Sequence, residues 1–209
     1  MKSKILKISI VGRTNAGKST LINQIVGEKI SIENKKINTT QETIIGVKNI
    51  KDTQILFYDT PGSNFLKNIN NQSKNLKKNL WNGIDESDLI LYLIDSSLVN
   101  INFLYDQLDK IKETKKKIII GFNKSDLIEN KKLLPIISKI NQNYKIESFL
   151  ILSAKKYIGI DQLLSQILKY SYFSNWIYKD DEITNKDNKF ILSELLRETL
   201  LTYLHKEIP

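Results

Sequence analysis

Short apolar runs alternate with amphipathic stretches along the first 170 residues of the chain. The runs are short and rich in β-branched residues, which predicts strands, whereas apolar residues spaced three or four apart predict helices. Strands alternating with helices indicate an α/β fold of three layers, with a mainly parallel sheet covered by helices on both faces. The predicted strands are 5–11, 53–58, 89–95, 117–122 and 148–152, and the predicted helices are 18–26, 71–83, 101–113, 132–141 and 160–170.

The pattern changes near residue 172. Residues 172–182 hold four aromatic side chains and then an acidic run, and a helical pattern follows over 189–205. An amphipathic helix at a terminus needs a partner surface for its apolar face. This helix therefore either docks on the first domain or opens a second one. Its predicted apolar face consists of Phe190, Ile191, Leu195, Leu196, Leu200, Leu201 and Leu204.

Composition excludes several kinds of site. The chain has no cysteine and one histidine, His205, which excludes disulfides, thiolate metal sites and multi-histidine metal sites. No apolar run approaches the roughly 18 residues of a membrane span, and the first ten residues lack the apolar core of a signal peptide. We therefore expect a cytosolic protein. The net charge of +9 comes almost entirely from lysines spread along the chain, which favours a solvated surface over a nucleic-acid patch.

The strongest chemical signal is the segment GRTNAGKS, here called the phosphate loop (residues 12–19). It fits G-x-x-x-x-G-K-[ST] and lies between a predicted strand and a predicted helix, which argues against an accidental glycine-rich turn. Backbone N–H groups of such a loop face phosphate oxygens, Lys18 reaches the β- and γ-phosphates, and the Ser19 hydroxyl ligates Mg²⁺. The predicted nucleotide-binding residues here are Gly12, Arg13, Thr14, Asn15, Ala16, Gly17, Lys18, Ser19 and Thr20.

A second motif, DTPG, directly follows the predicted strand 53–58. Alone, this tetrapeptide is a common turn. Its place after a strand and downstream of the phosphate loop predicts instead that Asp59 holds Mg²⁺ through water and that the Gly62 N–H meets the γ-phosphate. Thr40, in the polar stretch before this strand, is predicted to complete the Mg²⁺ ligands with Ser19 and Asp59; the alternative is that Thr39 and Thr40 are an ordinary solvent-facing pair.

Two further motifs follow later strands and predict guanine recognition. In the segment NKSD, the Asp126 carboxylate can accept hydrogen bonds from both N1–H and the 2-amino group of guanine, whereas adenine would leave it unpaired. The stem of Lys124 can lie over the base, and the backbone of the segment SAK can donate to guanine O6. The predicted base-binding residues are Asn123, Lys124, Asp126, Ser153, Ala154 and Lys155.

These motifs, in this order, resemble the translation-factor-like GTPases, and the match extends to one family. GRTNAGKSTLINQIVGEKISI, KINTTQETIIGV, YDTPG, WIYKDDEIT and KFILSELLRETLLTYLHKEIP resemble the Era family over essentially the whole chain. The last two stretches distinguish Era from the related TrmE and Der families. The resemblance implies a GTP-binding domain over 1–171 and a linker over 172–188. Residues 189–209 are then expected to be the first helix of a truncated RNA-binding KH domain.

The resemblance also implies a function. Era proteins are bacterial GTPases that assist assembly of the small (30S) ribosomal subunit, bind 16S rRNA and require Mg²⁺. They are cytoplasmic and associate peripherally with the inner membrane. On this basis we expect a monomeric, Mg²⁺-dependent GTPase that binds GTP and GDP.

The chain departs from the family pattern at two positions that bear on hydrolysis. Gln41 stands where the family usually has arginine, and Ser63 stands where related proteins carry an apolar residue or a water-positioning glutamine. Asn15 matches a position that coordinates K⁺ in related GTPases, which suggests potassium in place of an arginine finger. The predicted catalytic residues are thus Lys18, Thr40 and Asn15. Two alternatives are a module that holds GTP or GDP without useful hydrolysis and a TrmE-type domain serving tRNA modification, which no flanking segment supports.

Overall fold

The structure is a computed structural model that describes residues 3–31, 43–63 and 71–207. Within these residues, seven strands and six α-helices succeed one another along the chain. The strands are β1 (Lys4–Gly12), β2 (Ile44–Ile50), β3 (Thr53–Asp59), β4 (Leu89–Asp95), β5 (Lys117–Asn123), β6 (Ser148–Ile151) and β7 (Tyr172–Phe173). The helices are α1 (Lys18–Val26), α2 (Asn71–Glu86), α3 (Ile101–Lys112), α4 (Leu134–Asn143), α5 (Ile160–Ile167) and α6 (Asn188–Glu207).

The strands form one sheet in the order β2-β3-β1-β4-β5-β6. β2 is antiparallel to β3, and the pairs β3/β1, β1/β4, β4/β5 and β5/β6 are parallel. Parallel pairing brings the carboxyl ends of β1, β3, β4 and β5 to the same edge, where ligands bind in folds of this type. β1 starts ahead of β4, and its first residues, Lys4 and Ile5, pair antiparallel with β7.

Each central strand is buried on both faces, so its residues divide between two cores. In β4, Leu89, Leu91 and Leu93 face the core under α1 and α5, whereas Ile90, Tyr92 and Ile94 face the core under α2, α3 and α4. This is the three-layer α/β fold predicted from the sequence. The helices contribute Leu21, Ile22, Ile25, Leu163, Leu164 and Ile167 to the first core and Leu80, Ile84, Leu104, Leu108, Ile111 and Ile140 to the second.

All five predicted strands and all six predicted helices are confirmed, with β4 and α1 at the predicted bounds. β2 was missed. It forms a hairpin with β3 through a two-residue turn in which Lys51 takes a left-handed backbone (φ 55°). Its apolar residues are interrupted by Gly46, Lys48 and Asn49, which weakens the strand pattern of an edge strand that is buried only in part.

Residues 174–187, here called the connecting segment, run along the open edge of the sheet beside β2. The Val47 N–H donates to Ile183 O at 2.8 Å, and the Ile45 N–H donates to the side-chain oxygen of Asn185 at 2.9 Å. Backbone groups of an edge strand need partners. The connecting segment supplies them, so β2 is covered and not left open.

A buried glutamine fastens the connecting segment to the sheet. Gln54 in β3 is fully buried, and its side-chain oxygen accepts hydrogen bonds from the N–H groups of Ile177 (2.9 Å) and Tyr178 (3.0 Å). Its side-chain nitrogen donates to Tyr178 O at 2.9 Å and to Asn49 Oδ1 at 3.2 Å. Every polar atom of this amide is thus hydrogen-bonded.

Helix α6 docks on the domain through one face. Phe190 packs against the core under α1 and α5, and Glu198 forms an ion pair with Lys29 at 2.8 Å. The prediction of a single apolar face is wrong, because Leu196 and Leu200 lie on the opposite side. The large apolar residues exposed there are Leu192, Leu196, Leu200 and Tyr203, each more than half exposed. None of the helices among the described residues has the length and apolar character needed to cross a membrane.

Candidate functional site at the carboxyl end of the sheet

The phosphate loop connects β1 to α1 and is shaped by a left-handed backbone at two positions. Gly17 has φ 93°, and a Cβ placed there would lie 2.2 Å from Asn123 Nδ2, so only glycine fits. Asn15 is also left-handed (φ 66°) and exposed, a conformation that asparagine tolerates better than most residues. The loop therefore curls back on itself and begins α1 at Lys18.

Lys18 folds over this loop. Its ammonium donates to the backbone oxygens of Gly12 (3.2 Å) and Arg13 (3.1 Å), and its side chain is buried. Burial lowers the pKa of Lys18 to about 8, and the Asp59 carboxylate acts in the opposite direction. A partly desolvated cation held at a helix N-terminus attracts an anion strongly.

Asp59 ends β3 and lies fully buried beside Lys18. One carboxylate oxygen, Oδ2, accepts hydrogen bonds from the hydroxyls of Ser19 (2.7 Å) and Ser31 (2.6 Å). Burial raises the pKa of Asp59, whereas Lys18 and the two hydroxyls act to lower it. The other oxygen, Oδ1, is buried and has no hydrogen-bond partner among the described residues.

The donors present here fit a Mg²⁺ ion. Asp59 Oδ1 is buried without a hydrogen-bond partner among the described residues, so it is available to bind an ion. The Ser19 hydroxyl donates to Oδ2, the other oxygen of the same carboxylate. Mg²⁺ commonly takes one or two carboxylates together with substrate phosphates, so a richer acidic cluster is not required. Among the described residues, no three acidic, histidine or cysteine side chains are grouped so that they could hold a metal ion by themselves. Thr40, the third predicted ligand, lies with Thr39 and Gln41 outside the described residues.

Gly62 lies against the phosphate loop. A Cβ at Gly62 would be 2.3 Å from Thr14 Oγ1 and 2.8 Å from Thr14 N, so a side chain would displace the loop. The preceding turn is fixed because the Thr60 hydroxyl donates to Ile10 O at 2.6 Å. The DTPG motif thus meets the phosphate loop, as its position predicted, and the following Ser63 is fully buried.

Asn123, at the end of β5, joins the two predicted halves of the site. Its side-chain nitrogen donates to Ala16 O in the phosphate loop at 2.8 Å, and its side-chain oxygen accepts from the Ala154 N–H at 2.9 Å. The Ser125 N–H in turn donates to Leu152 O at 3.1 Å. One buried amide therefore holds the loop after β1 and the loop after β6 in fixed relation.

Around Asn123 the predicted base-binding residues divide into buried and exposed ones. Ser153 and Ala154 are buried, whereas Asp126 and Lys155 are exposed. Asp126 belongs to a short 3₁₀ turn (Ser125–Leu127) directly after β5. Its carboxylate is therefore accessible to a ligand at the carboxyl edge of the sheet.

Lys124 has a partner that the sequence did not predict. Its ammonium forms an ion pair with Asp95 Oδ2 at 2.6 Å, from a left-handed backbone (φ 61°). Burial acts to raise the pKa of Asp95, but Lys124 and Ser97 outweigh it, and the pKa is lowered overall. The available signal was the position of Asp95 at the end of the apolar run LILYLID, where β4 reaches the same edge.

The remaining phosphate-loop residues line a neighbouring cavity. Arg13 is exposed and places its guanidinium 4.9 Å from the centre of the Phe103 ring, while Thr20 is half-buried in the first turn of α1. A cavity of about 280 Å³ lies between residues 13–15, the end of β4 and the start of α3. All predicted site residues in the described part of the chain thus lie at one edge of the sheet.

Comparison with known proteins agrees with this arrangement. The family described as "50S ribosome-binding GTPase" matches residues 7–124. The chain is 36% identical to GTPase Era of Rickettsia conorii over 206 residues, which cover 99% of this chain and 60% of that protein. It is 40% identical to GTPase Era of Buchnera aphidicola, covering 97% of this chain and 71% of the relative.

Two solved structures share the fold closely. A crystal structure of Era with MgGDPNP and nucleotides 1506–1542 of 16S ribosomal RNA superposes with a TM-score of 0.84 at 32% identity, covering 94% of this chain and 66% of that one. A variant of Aquifex aeolicus Era bound to GDP·AlF₄⁻ gives a TM-score of 0.86 at 30% identity, covering 95% and 67%. The chain therefore spans about two thirds of these structures and 60% of the Rickettsia relative.

Proposed function

The chain belongs to the Era family of GTPases, and from this premise we propose that it binds GTP and GDP with Mg²⁺ and hydrolyses GTP to GDP and phosphate. The observation that carries the proposal is the bridge made by Asn123, which joins the phosphate loop to the loop holding Ala154. A site for a phosphate chain and a site for a base are thereby held at a fixed distance, as a nucleotide requires.

At the phosphate end, Lys18 and the backbone N–H groups of the loop bind the β- and γ-phosphates. The ammonium now rests on the carbonyl oxygens of Gly12 and Arg13, and phosphate oxygens replace these weaker acceptors. Ser19 and Asp59 are the described residues that would hold Mg²⁺, with Thr40 as the proposed third ligand. When bound, Mg²⁺ neutralises charge on the phosphate oxygens.

At the base end, Asp126 selects guanine because its exposed carboxylate offers two acceptors to N1–H and the 2-amino group. The aliphatic stem of Lys124 is held in place by the ion pair with Asp95, which orients it at the same edge. The Ala154 N–H already donates to Asn123 and the Lys156 N–H to Ser153 Oγ, so the Lys155 N–H is the proposed donor to O6.

For hydrolysis we propose in-line attack of water on the γ-phosphate, with Lys18 stabilising the charge that develops and Thr40 and Asn15 assisting. Asn15 stands exposed at the turn of the phosphate loop, where its side-chain oxygen is proposed to bind K⁺ beside the phosphates. Because GTPases that lack a group supplied by a partner hydrolyse GTP slowly, we expect unassisted turnover on the order of 10⁻⁴ to 10⁻² s⁻¹.

The wider role follows from the relatives. A related Era was crystallised with a segment of 16S rRNA, and we propose that this chain acts in assembly of the small ribosomal subunit on the same RNA. In this proposal residues 1–171 are the GTP-binding domain, 172–188 the linker and 189–209 the first helix of a KH domain. The protein would act as a monomer in the cytoplasm and associate peripherally with the inner membrane.

Single-turnover GTP hydrolysis with Mg²⁺, in K⁺ and in Na⁺ buffers, tests the proposal. We expect turnover in K⁺, a much lower rate in Na⁺, and loss of the difference in Asn15→Ala. Equal rates in the two buffers would argue against the potassium role. Tight guanine-nucleotide binding with no turnover would argue against hydrolysis and for a nucleotide-holding module, which the relatives named as GTPases do not favour.

A further inference from the structure

Ser31 makes a contact that no sequence motif indicates. Its hydroxyl donates to Asp59 Oδ2 at 2.6 Å, and its side chain is almost fully buried. The same oxygen accepts from Ser19, the proposed Mg²⁺ ligand, at 2.7 Å. Two hydroxyl donors therefore converge on one oxygen of a buried carboxylate, and the other oxygen, Oδ1, has no hydrogen bond in the described part of the chain.

The position of Ser31 is fixed by a second buried amide. Asn23 in α1 accepts from the N–H groups of Ile30 (3.0 Å) and Ser31 (3.1 Å), and its nitrogen donates to Ser31 O at 2.8 Å. Because α1 begins at Lys18, the phosphate loop and the backbone of Ser31 are parts of one rigid unit. The Ser31 hydroxyl therefore reaches Asp59 inside the core and not at the solvent-exposed surface.

We propose that Ser31 is a positioning residue for the Asp59 carboxylate. A carboxylate can rotate and exchange its two oxygens, and a single donor from Ser19 leaves that freedom in place. Two donors on Oδ2 fix the carboxylate plane and keep Oδ1 as the oxygen available to Mg²⁺ or its bound water. The inference rests on the proposed function, since it concerns the same Mg²⁺ site.

The hydrogen bond also offsets the burial of Asp59. A buried carboxylate is costly unless it is hydrogen-bonded, and hydrogen bonds to charged groups are the stronger kind. Loss of the Ser31 hydroxyl would leave Oδ2 with Ser19 alone. Partners of this kind behind a metal-binding carboxylate typically change metal affinity about 10–100-fold when they are removed.

The test compares wild type with Ser31→Ala in titrations of fluorescent mant-GDP over a series of free Mg²⁺ concentrations set with EDTA. We expect Ser31→Ala to raise the half-saturating Mg²⁺ concentration about tenfold or more while its mant-GDP affinity in EDTA stays at the wild-type value. Thermal unfolding without nucleotide verifies that the variant folds. A shift confined to the Mg²⁺ dependence is what a merely structural role would not produce.

Ser87→Ala is the matched control. Ser87 is a buried serine beyond α2, at the other end of the sheet, and its hydroxyl donates to Ile84 O at 2.8 Å. It should leave the Mg²⁺ dependence unchanged. Equal Mg²⁺ dependence in Ser31→Ala and wild type, tighter Mg²⁺ binding in Ser31→Ala, or an equal loss with and without Mg²⁺ would each overturn the inference. Nucleotide binding by wild type that ignores Mg²⁺ would instead overturn the proposed function.

Discussion

Asn123 and Gln54 are the same kind of group used in two different regions. Each is a buried amide at a β-strand, and each joins segments far apart in sequence. The side chain of Gln54 makes all its hydrogen bonds to the connecting segment and to Asn49. Asn123, in contrast, has exposed polar residues beside it: Asn15 in the phosphate loop that it holds, and Asp126 in the turn that follows it. A bridging amide alone therefore marks architecture, and the exposed groups around it mark the site for a ligand.

Asn123→Ala should have the largest effect. It leaves Ala16 O and the Ala154 N–H, both in buried residues, without their partner, which costs about 1–3 kcal/mol for each group. We expect both a loss of stability in denaturant unfolding and at least a hundredfold loss of GDP affinity, or about 2.7 kcal/mol. Unchanged GDP affinity would show that the bridge is not needed to hold the two loops.

Asp126→Asn sharpens the comparison from the ligand side. The side chain is exposed, so unfolding should be unaffected. Loss of a charged acceptor should weaken GTP binding by about 1.5–3 kcal/mol and improve binding of xanthosine triphosphate, whose base presents an acceptor in place of the amino group. Competition between the two nucleotides measures this, and an unchanged preference for GTP would contradict the role of Asp126.

Gln54→Ala should separate the two amides. It removes four hydrogen bonds to the connecting segment and to Asn49, some of which water can replace, so we expect a stability loss of about 1–3 kcal/mol. GDP affinity should stay at the wild-type value because the contacts lie away from the carboxyl edge. A loss of affinity comparable to that of Asn123→Ala would erase the distinction between the two regions.

The smallest effect is the pH dependence of nucleotide binding through Lys18. Burial lowers its pKa from 10.5 to about 8 in the folded chain, so above pH 8 the free site is increasingly neutral. Phosphate binds the ammonium, and GDP affinity should therefore fall by up to about tenfold per pH unit above pH 8. Over the same range the nucleotide-free chain gains folding stability, because Lys18 keeps its proton in the unfolded chain and loses it in the folded one. GDP titrations between pH 7 and 9.5 test this, and a flat profile would contradict it.

Much of the site followed from sequence because of one geometrical rule. The motifs that begin with Asp59 and Asn123 each follow an apolar strand pattern, and parallel strands bring their carboxyl ends to one edge. Asp95 and Ser31 did not follow from the sequence, because a hydrogen-bond partner is chosen by tertiary proximity. Lys124 and Asp95 are far apart in the chain, and Ser31 reaches Asp59 only because Asn23 holds its backbone. Thr40 remains a prediction.

For the fold, hydrophobic periodicity predicted the strands that are almost fully buried and failed for the strand that is buried only in part. The buried strand β4 was predicted at its true bounds, and the edge strand β2 was missed because Gly46, Lys48 and Asn49 interrupt its apolar pattern. The position of helix α6 in the sequence was predicted, but the face through which it docks was not. Its apolar residues lie on both sides, so sequence spacing could not show which side docks.

The cover over β2 has a consequence for how the protein behaves at high concentration. An uncovered edge strand is a template on which a second chain can add its own strand, the route by which sheets polymerise. The N–H groups of Val47 and Ile45 already donate hydrogen bonds to Ile183 O and Asn185 Oδ1. The opposite edge, β6, is only four residues long. The path of the connecting segment thus blocks the addition of a strand from a second molecule at β2. The residues that lead to α6 therefore also favour the solubility of the chain.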